Sequence, residues 1–357
     1  MLSIGNDHGL SNQELRMKPS IVEVAQLAGV STATVSYVLN GTKRVRPETA
    51  RKVMDAVDKL QYQINPLARN FRKGESKLIG FVVCDLSNSF FQDIALGLEQ
   101  CLNQYGYRPI LIDSKEDKQI EMDNVRNLLG SSIDGLVIAP TTEDFTYLKL
   151  MLRNHNVPVV YVDRKTSGYE SDVVLSENVE GGYQAVKSLI ERGHREIAFI
   201  GSRRDSTMEE RGEGYRKALR EAGIPINENY IRYGDNMSVS QRNLLHGTIY
   251  NHTRELVKNY PITAIFTGNN LATVGAFNYL MEAGIKVPEH IAFITFDDSF
   301  WLSMTTPSLS AVAQHPEEMG RIAGKLVCER ILATQRNIEN PHQLIRVPTK
   351  LVLRRSC

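Results

Sequence analysis

Cysteine is scarce in this 357-residue chain: Cys84, Cys101, Cys328 and Cys357 form no CxxC pair and have no histidines around them at metal-ligand spacing. That pattern argues against a disulfide framework and a structural zinc site, and fits the reduced thiols of a cytoplasmic protein. Long apolar runs are missing too. No stretch approaches the roughly 18 residues that a membrane helix needs. Residues 1–16 have neither a basic start nor an apolar centre, so neither a membrane anchor nor an export signal is expected. The sequence contains no GxGxxG, GxxxxGK[ST] or GxSxG, which removes the usual phosphate loops and the nucleophile elbow of an enzyme. His194, in RGHRE, is the most tempting general base. No cofactor, no metal and no enzymatic activity are expected.

What is present is concentrated near the start. In SIVEVAQLAGVSTATVSYVLN, residues 20–40, Ile21, Val24, Ala25 and Ala28 repeat at helical spacing and Gly29 breaks the run. Ser31 opens a second helix with Val35, Val38 and Leu39 on one face. Helices joined so closely cross steeply, and Gly29 can take the positive φ that the turn requires. The other face of the second helix carries Thr32, Ala33, Thr34, Ser36, Tyr37 and Asn40, short polar groups suited to base edges and phosphates in a major groove. A small helical bundle without a ligand is the alternative reading. Pro47 then starts a third helix to residue 60, with Ala50, Val53, Met54, Val57 and Leu60 on its expected core face.

Charge separates this head from the rest. Residues 18–77 hold 11 Lys and Arg against 5 Asp and Glu, about +6, while the whole chain is only +1. A basic helical head on a mildly acidic body is the electrostatic footprint of a nucleic-acid reader. Beyond residue 77, continuous apolar strands alternate with helices that end at glycines. Strands are expected at 78–84, 108–113, 135–139, 157–162, 196–200, 263–267 and 291–296. Helices are expected at 90–105, 180–192, 207–222 and 271–283. Two successive series of this kind imply two doubly wound parallel sheets, which place ligands at the C-terminal ends of their strands.

Five blocks in register, the opening pattern, VSTATVSYVLNG, NPLARNFRKG, ERGHREIAFIG and VPEHIAFITFDD, resemble the lactose and galactose repressor family of bacterial transcription regulators. The resemblance implies an α/β protein with an N-terminal helix-turn-helix three-helix head and a two-lobed, periplasmic-binding-protein-like body. The implied divisions are an extension at 1–17, the head at 18–62, a hinge helix at 63–77 and the body at 78–357. One lobe takes about 78–177 and 315–342, the other about 178–314 and 343–357, with three crossing segments. Residues 1–16 have no counterpart in the family pattern, and Met17 is an alternative start.

The resemblance also assigns roles. The implied DNA contacts are Ser31, Thr32, Ala33, Thr34, Ser36, Tyr37 and Asn40, with Arg69 and Phe71 in the hinge, where Phe71 stands at the position of a minor-groove wedge. A passive linker is the alternative for Phe71. Phe90 and Phe91 match rings that line an effector pocket, with core packing as the alternative. Arg211 matches an effector-gripping arginine, or else pairs with Glu209 or Glu210. Asp297 matches a carboxylate that accepts from sugar hydroxyls, or else caps a turn. Asn269 matches a cleft amide, or else is an N-cap. Asp163, Thr207 and Asn236 also fall at pocket positions. Asn270 departs from the family's usual aspartate. Asp205 stands where the purine-binding member has arginine, which argues against a purine effector. The implied protein is a cytoplasmic, homodimeric repressor that binds double-stranded operator DNA and a sugar or sugar derivative. The alternative is a two-lobed sugar-binding protein without a DNA role, which the basic head disfavours.

Overall fold

A computed structural model describes residues 19–41, 43–62, 75–153, 155–234, 242–338 and 340–357. The chain divides after Gly74 into two compact units.

In the first unit, α1 (Ile21–Ala28) begins with a reciprocal cap. The Ser20 hydroxyl accepts from the Glu23 N–H, while the Glu23 carboxylate accepts from the Ser20 N–H at 2.6 Å. Two otherwise orphaned donors are satisfied in this way. Gly29, at φ 66, ends the helix in the left-handed conformation that a side chain would resist. Helix α2 (Thr32–Asn40) starts at Ser31, whose hydroxyl accepts from the Thr34 N–H at 3.1 Å, and turns 101° away from α1. Helix α3 (Pro47–Leu60) completes a core around Val24, Ala25, Ala28, Val35, Val53 and Ala56. One expectation fails here. Met54 is 45 % exposed, and Ala56 is buried instead, because the inward helical repeat runs from Val53 to Ala56 and Val57, with Met54 turned about 100° away.

The second unit has two sheets. In lobe one, β1 (Leu78–Val83), β2 (Arg108–Asp113), β3 (Gly135–Ile138), β4 (Val159–Val162), β5 (Asp172–Ser176) and β11 (Leu344–Val347) lie in the order β11-β5-β4-β3-β1-β2, all parallel. In lobe two, β6 (Ile197–Gly201), β7 (Ile231–Tyr233), β8 (Ala264–Thr267), β9 (Ala292–Phe296), β10 (Ser310–Ala313) and β12 (Lys350–Val352) lie in the order β12-β10-β9-β8-β6-β7. Only the last pairing, β12 on β10, is antiparallel among the described strands. The expected lobe boundary at 343 is corrected: Leu344 to Val347 pair with Val173 to Ser176 in lobe one, so the final crossing comes at 347–350. The other crossings are at 176–178 and 313–316.

Glycines set the helices beside these crossings at close range. In lobe one, α4 (Ser89–Gln104) meets α11 (Pro316–Gln335) through Gly97 and Gly320, where an added Cβ would lie 1.9 Å from the Glu317 carbonyl oxygen and 2.1 Å from that of Ile94. In lobe two, α7 (Asn178–Glu191) meets α8 (Ser206–Glu221) through Gly182 and Gly214. A Cβ on Gly182 would lie 2.5 Å from the Arg211 carbonyl oxygen. The contact therefore fixes the backbone from which Arg211 projects.

Candidate functional sites: a recognition helix and an inter-lobe cleft

On α2, residues 32, 33, 36, 37 and 40 share one helical face by their i, i+1, i+4, i+5, i+8 spacing. Thr32 and Ala33 are exposed and Tyr37 is half-buried, with the Lys43 ammonium 4.9 Å from its ring centre. Four expected contacts have intramolecular partners. Ser31 and Thr34 join hydroxyls at 2.9 Å within the N-cap, and the Asn40 amide donates to the Ser36 carbonyl at 2.8 Å. Ser36 also accepts from Asn40 at its hydroxyl. Thr32, Ala33 and Tyr37 make no side-chain hydrogen bond to another described residue. Arg69 and Phe71 lie outside the described residues, as does Asn236.

The cleft is built where strands end. Asp163 follows β4 and Asp297 follows β9, at φ 69 and 75, a conformation that a short polar side chain tolerates better than a bulky one. Both are buried, 7 % and 8 % exposed. Arg211 is 2 % exposed. Its Nε donates to Asn178 Oδ1 at 2.9 Å, its Nη1 donates to the Gly268 carbonyl at 2.7 Å, and its guanidinium lies 3.7 Å from the Phe296 ring centre. Neither neighbouring glutamate pairs with it. Glu209 meets Arg204, and Glu210 meets Lys165 and Arg346. The arginine is thus anchored on lobe two, beside carboxylates from both lobes. Burial pushes the Asp163 carboxyl up to about 6 against the pull of Arg164 and Arg211. Burial likewise lowers the pKa of Arg211, while Asp297 and Asp163 hold it up.

Asp297 is itself oriented. Its Oδ2 accepts from the Asn270 N–H at 3.2 Å and its Oδ1 from the Gln314 amide, and Gln314 accepts from Ser176. Ser176 and Gln314 stand at two crossings, so this chain of bonds runs from the cleft to the hinge. The Asn269 side-chain Oδ1 caps α10 (Asn270–Glu282) by accepting from the Ala272 N–H, while its Nδ2 donates to the Ser202 hydroxyl. Phe90 and Phe91 meet edge-on at 5.2 Å. Phe91 is 3 % exposed and belongs to the core of lobe one, which corrects its expected place in the pocket. Adjacent helical residues point about 100° apart, so only the half-buried Phe90 retains surface.

Contacts between lobes surround these groups. The Thr207 hydroxyl donates to the Asp163 carbonyl at 3.1 Å, and Lys165 reaches Glu210 at 3.1 Å. Asn270 donates to Asn88 Oδ1 at 2.9 Å. That oxygen also accepts from the Phe90 N–H, so its partner must be a donor; the amide at 270, where the family usually has aspartate, supplies one. At another point Arg164 binds Glu116 through two bonds of 2.7 and 3.0 Å, and Arg203 of lobe two reaches the same carboxylate and the Thr141 carbonyl. Asp205 caps α8 and lies 3.2 Å from Arg203 Nε. Glu116, Arg164, Arg203 and Gln314 were not among the expected site residues. The clue was that each stands at the C-terminal end of a strand or in the loop that follows one.

Residues 20–65 match the family of "bacterial regulatory proteins, lacI family", and residues 186–357 match the "periplasmic binding protein-like domain". The chain is 31 % identical to the HTH-type transcriptional repressor PurR of Photobacterium profundum, over 94 % of this chain and 98 % of that protein.

The chain belongs to the lacI family.

It is a DNA-binding transcription regulator with an effector-binding body. The ribose operon repressor of Escherichia coli, another relative, is 32 % identical over 87 % of this chain and 92 % of that protein. The solved complex of the transcriptional regulator CelR with cellobiose is similar with a TM-score of 0.69 and 29 % identity, covering 95 % of this chain and all of that one. In this lacI-family chain His194, the tempting base, precedes β6 and meets the Thr263 hydroxyl at 3.0 Å, at the opposite end of the sheet from the cleft.

Proposed function

We propose that this regulator is a cytoplasmic repressor that binds a pseudo-palindromic operator as a homodimer and changes its grip when a sugar or sugar derivative occupies the cleft. The observation that carries this reading is the burial of Asp163 of lobe one and Asp297 of lobe two at the ends of their strands, with the buried Arg211 of lobe two near enough for both carboxylates to act on its charge. Such a set offers acceptors and donors for hydroxyls, and Phe90 offers an apolar face for a sugar ring. Relatives named for ribose regulation, and a neighbour solved with cellobiose, support a sugar. A ligand that touches both lobes favours their closed arrangement, and the bonds from Asp297 through Gln314 to Ser176 place the response at the crossings.

On the DNA side, Thr32, Ala33 and Tyr37 read the major groove, with Arg69 and Phe71 in the minor groove. Leu96 and Leu111 on lobe one, with Phe300 and Met304 on lobe two, are exposed apolar residues suited to contact between two copies.

A thermal-shift panel of sugars tests the effector reading: a ligand at 100 times its Kd adds about 2.7 kcal/mol of stability. The same ligand is expected to change affinity for an operator found by selection. An operator affinity that ignores every sugar stabilising the body would sink the reading. Operator binding is also expected to fall steeply between about 50 and 200 mM salt.

A further inference from the structure

Two guanidiniums in the cleft already have a carboxylate seated between them. Arg164 comes from the end of β4 and Arg203 from the end of β6, and both converge on Glu116, which follows β2. All three side chains are largely buried. Glu116 reaches this seat through an unusual backbone: Lys115 and Glu116 both have φ 54, two consecutive left-handed residues without glycine. Its N–H donates to the Cys84 carbonyl at 2.7 Å, which holds the turn. Strain of this kind persists where the surrounding structure over-determines it, often at ligand clamps. Burial raises the Glu116 carboxyl, but Arg164 and then Arg203 outweigh burial, and its pKa ends below the ordinary range.

Asp205 stands on the other side, 3.2 Å from Arg203 Nε and 3.6 Å from Arg164 Nε, at 5 % exposure. Both Nε atoms are buried without a hydrogen bond and face Asp205, while the Nη atoms hold Glu116. Arg164 and Arg203 are therefore balanced by Glu116 and Asp205. Asp163 lies 3.7 Å from Arg164 Nε and also acts on Arg211, as does Asp297, so four acids stand against three arginines and the acids are in excess. A carboxylate or phosphate entering here would meet these acids with no unmatched cation to receive it.

We propose that Glu116 and Asp205 are specificity-determining residues that fill the anion-binding capacity of the cleft, so that the effector is an uncharged polyhydroxylated molecule and sugar acids and sugar phosphates are rejected. This rests on the reading of the cleft as the effector site. Removing the Glu116 charge exposes a buried guanidinium pair ready for an oxyanion, since arginine forks match phosphate geometry.

The probe is inorganic phosphate, titrated against chloride at matched ionic strength, with the melting temperature of the full chain as the readout. Wild type and Arg203→Gln are expected to give the same small, non-saturating response. Glu116→Gln is expected to gain a saturable rise, about 2–3 °C at tenfold its Kd, that is lost in Glu116→Gln/Arg203→Gln. Two results would overturn the proposal: a saturable rise in wild type that Arg203→Gln removes, or no gain in a folded Glu116→Gln. Should Glu116→Gln fail to fold, the comparison of wild type with Arg203→Gln decides. Ribose and cellobiose in the same assay test the cleft reading separately, because stabilisation by a neutral sugar supports it whatever phosphate does.

Discussion

The groups proposed to read DNA in the helical head stand open, whereas those proposed to read the effector in the cleft of the body are held by bonds to their neighbours. On α2, Thr32 and Ala33 are exposed and Tyr37 is half-buried beside Lys43, each held by a backbone that caps and core contacts have already settled. In the cleft Arg211, Asp163 and Asp297 are almost wholly buried, and their positions depend on hydrogen bonds drawn from both lobes. A surface that reads a long polyanion can wait in water. A cleft that senses one small molecule must hold desolvated charges in place beforehand, and each of those charges requires a partner.

The largest effect that follows from this difference is expected at Arg211. Arg211→Ala leaves Asn178 Oδ1 and the Gly268 carbonyl without their donor in a buried site, and two such losses cost about 2–6 kcal/mol. Calorimetry is expected to show the transition of the body falling while that of the head stays put. Equal falls in both would break the contrast between the two regions.

Acidity gives a second test. The Asp163 carboxyl is pushed up to about 6, above its ordinary value near 4, so the folded body binds this proton more tightly than the unfolded chain does. The resulting stability is fully present below about pH 4 and is lost as pH rises to about 6, on the order of 2–3 kcal/mol. Asp163→Asn is expected to flatten that fall in denaturant titrations, leaving the part due to Glu121, which is also raised to about 6 by burial. Glu210 acts with the opposite sign. Burial raises its pKa, but hydrogen bonds from Arg346, Lys165 and Asn178 outweigh burial and hold it at about 2, so its contribution is present above about pH 4 and lost as pH falls towards 2. A variant that keeps the full slope between pH 4 and 6 would place the titrating groups elsewhere.

Smaller effects belong to the head. Tyr37→Ala is expected to weaken selected operator DNA by about 1–3 kcal/mol, roughly 5- to 150-fold, with sugar binding intact, as read by fluorescence anisotropy. Ser20→Ala removes half of the reciprocal cap on α1 and is expected to lower head stability by about 1 kcal/mol in thermal denaturation followed by circular dichroism. A loss in Tyr37→Ala confined to sugar response would reverse the roles of the two regions.

How much was legible in the sequence follows the same division. The turn at Gly29, the N-cap at Ser31 and the three helices are local events written in adjacent residues, and the structure keeps them with only Met54 misplaced. The apolar runs of β1, β3, β4, β6, β8 and β9 were equally plain, because strands covered on both faces need continuous apolar side chains. The short edge strands β7, β11 and β12 and the interior strands β5 and β10 were not. The edge strands pair by backbone bonds that ask little of the side chain, and the boundary near 343 was implied by the resemblance alone, so the pairing of 344–347 with β5 had no local signal.

The sequence by itself determined the helix-turn-helix, the concentration of positive charge in the head, the two series of strands and helices, and the strand ends where Asp163 and Asp297 would stand. Only the tertiary structure decided which groups share a site. Glu116, Arg164 and Arg203 lie up to 87 residues apart, and Asn88 meets Asn270 across 182. Their partnership comes from two sheets turning their C-terminal edges towards one another. No local pattern encodes that approach, because it is set by where the chain crosses between lobes and by the glycines that let the neighbouring helices close.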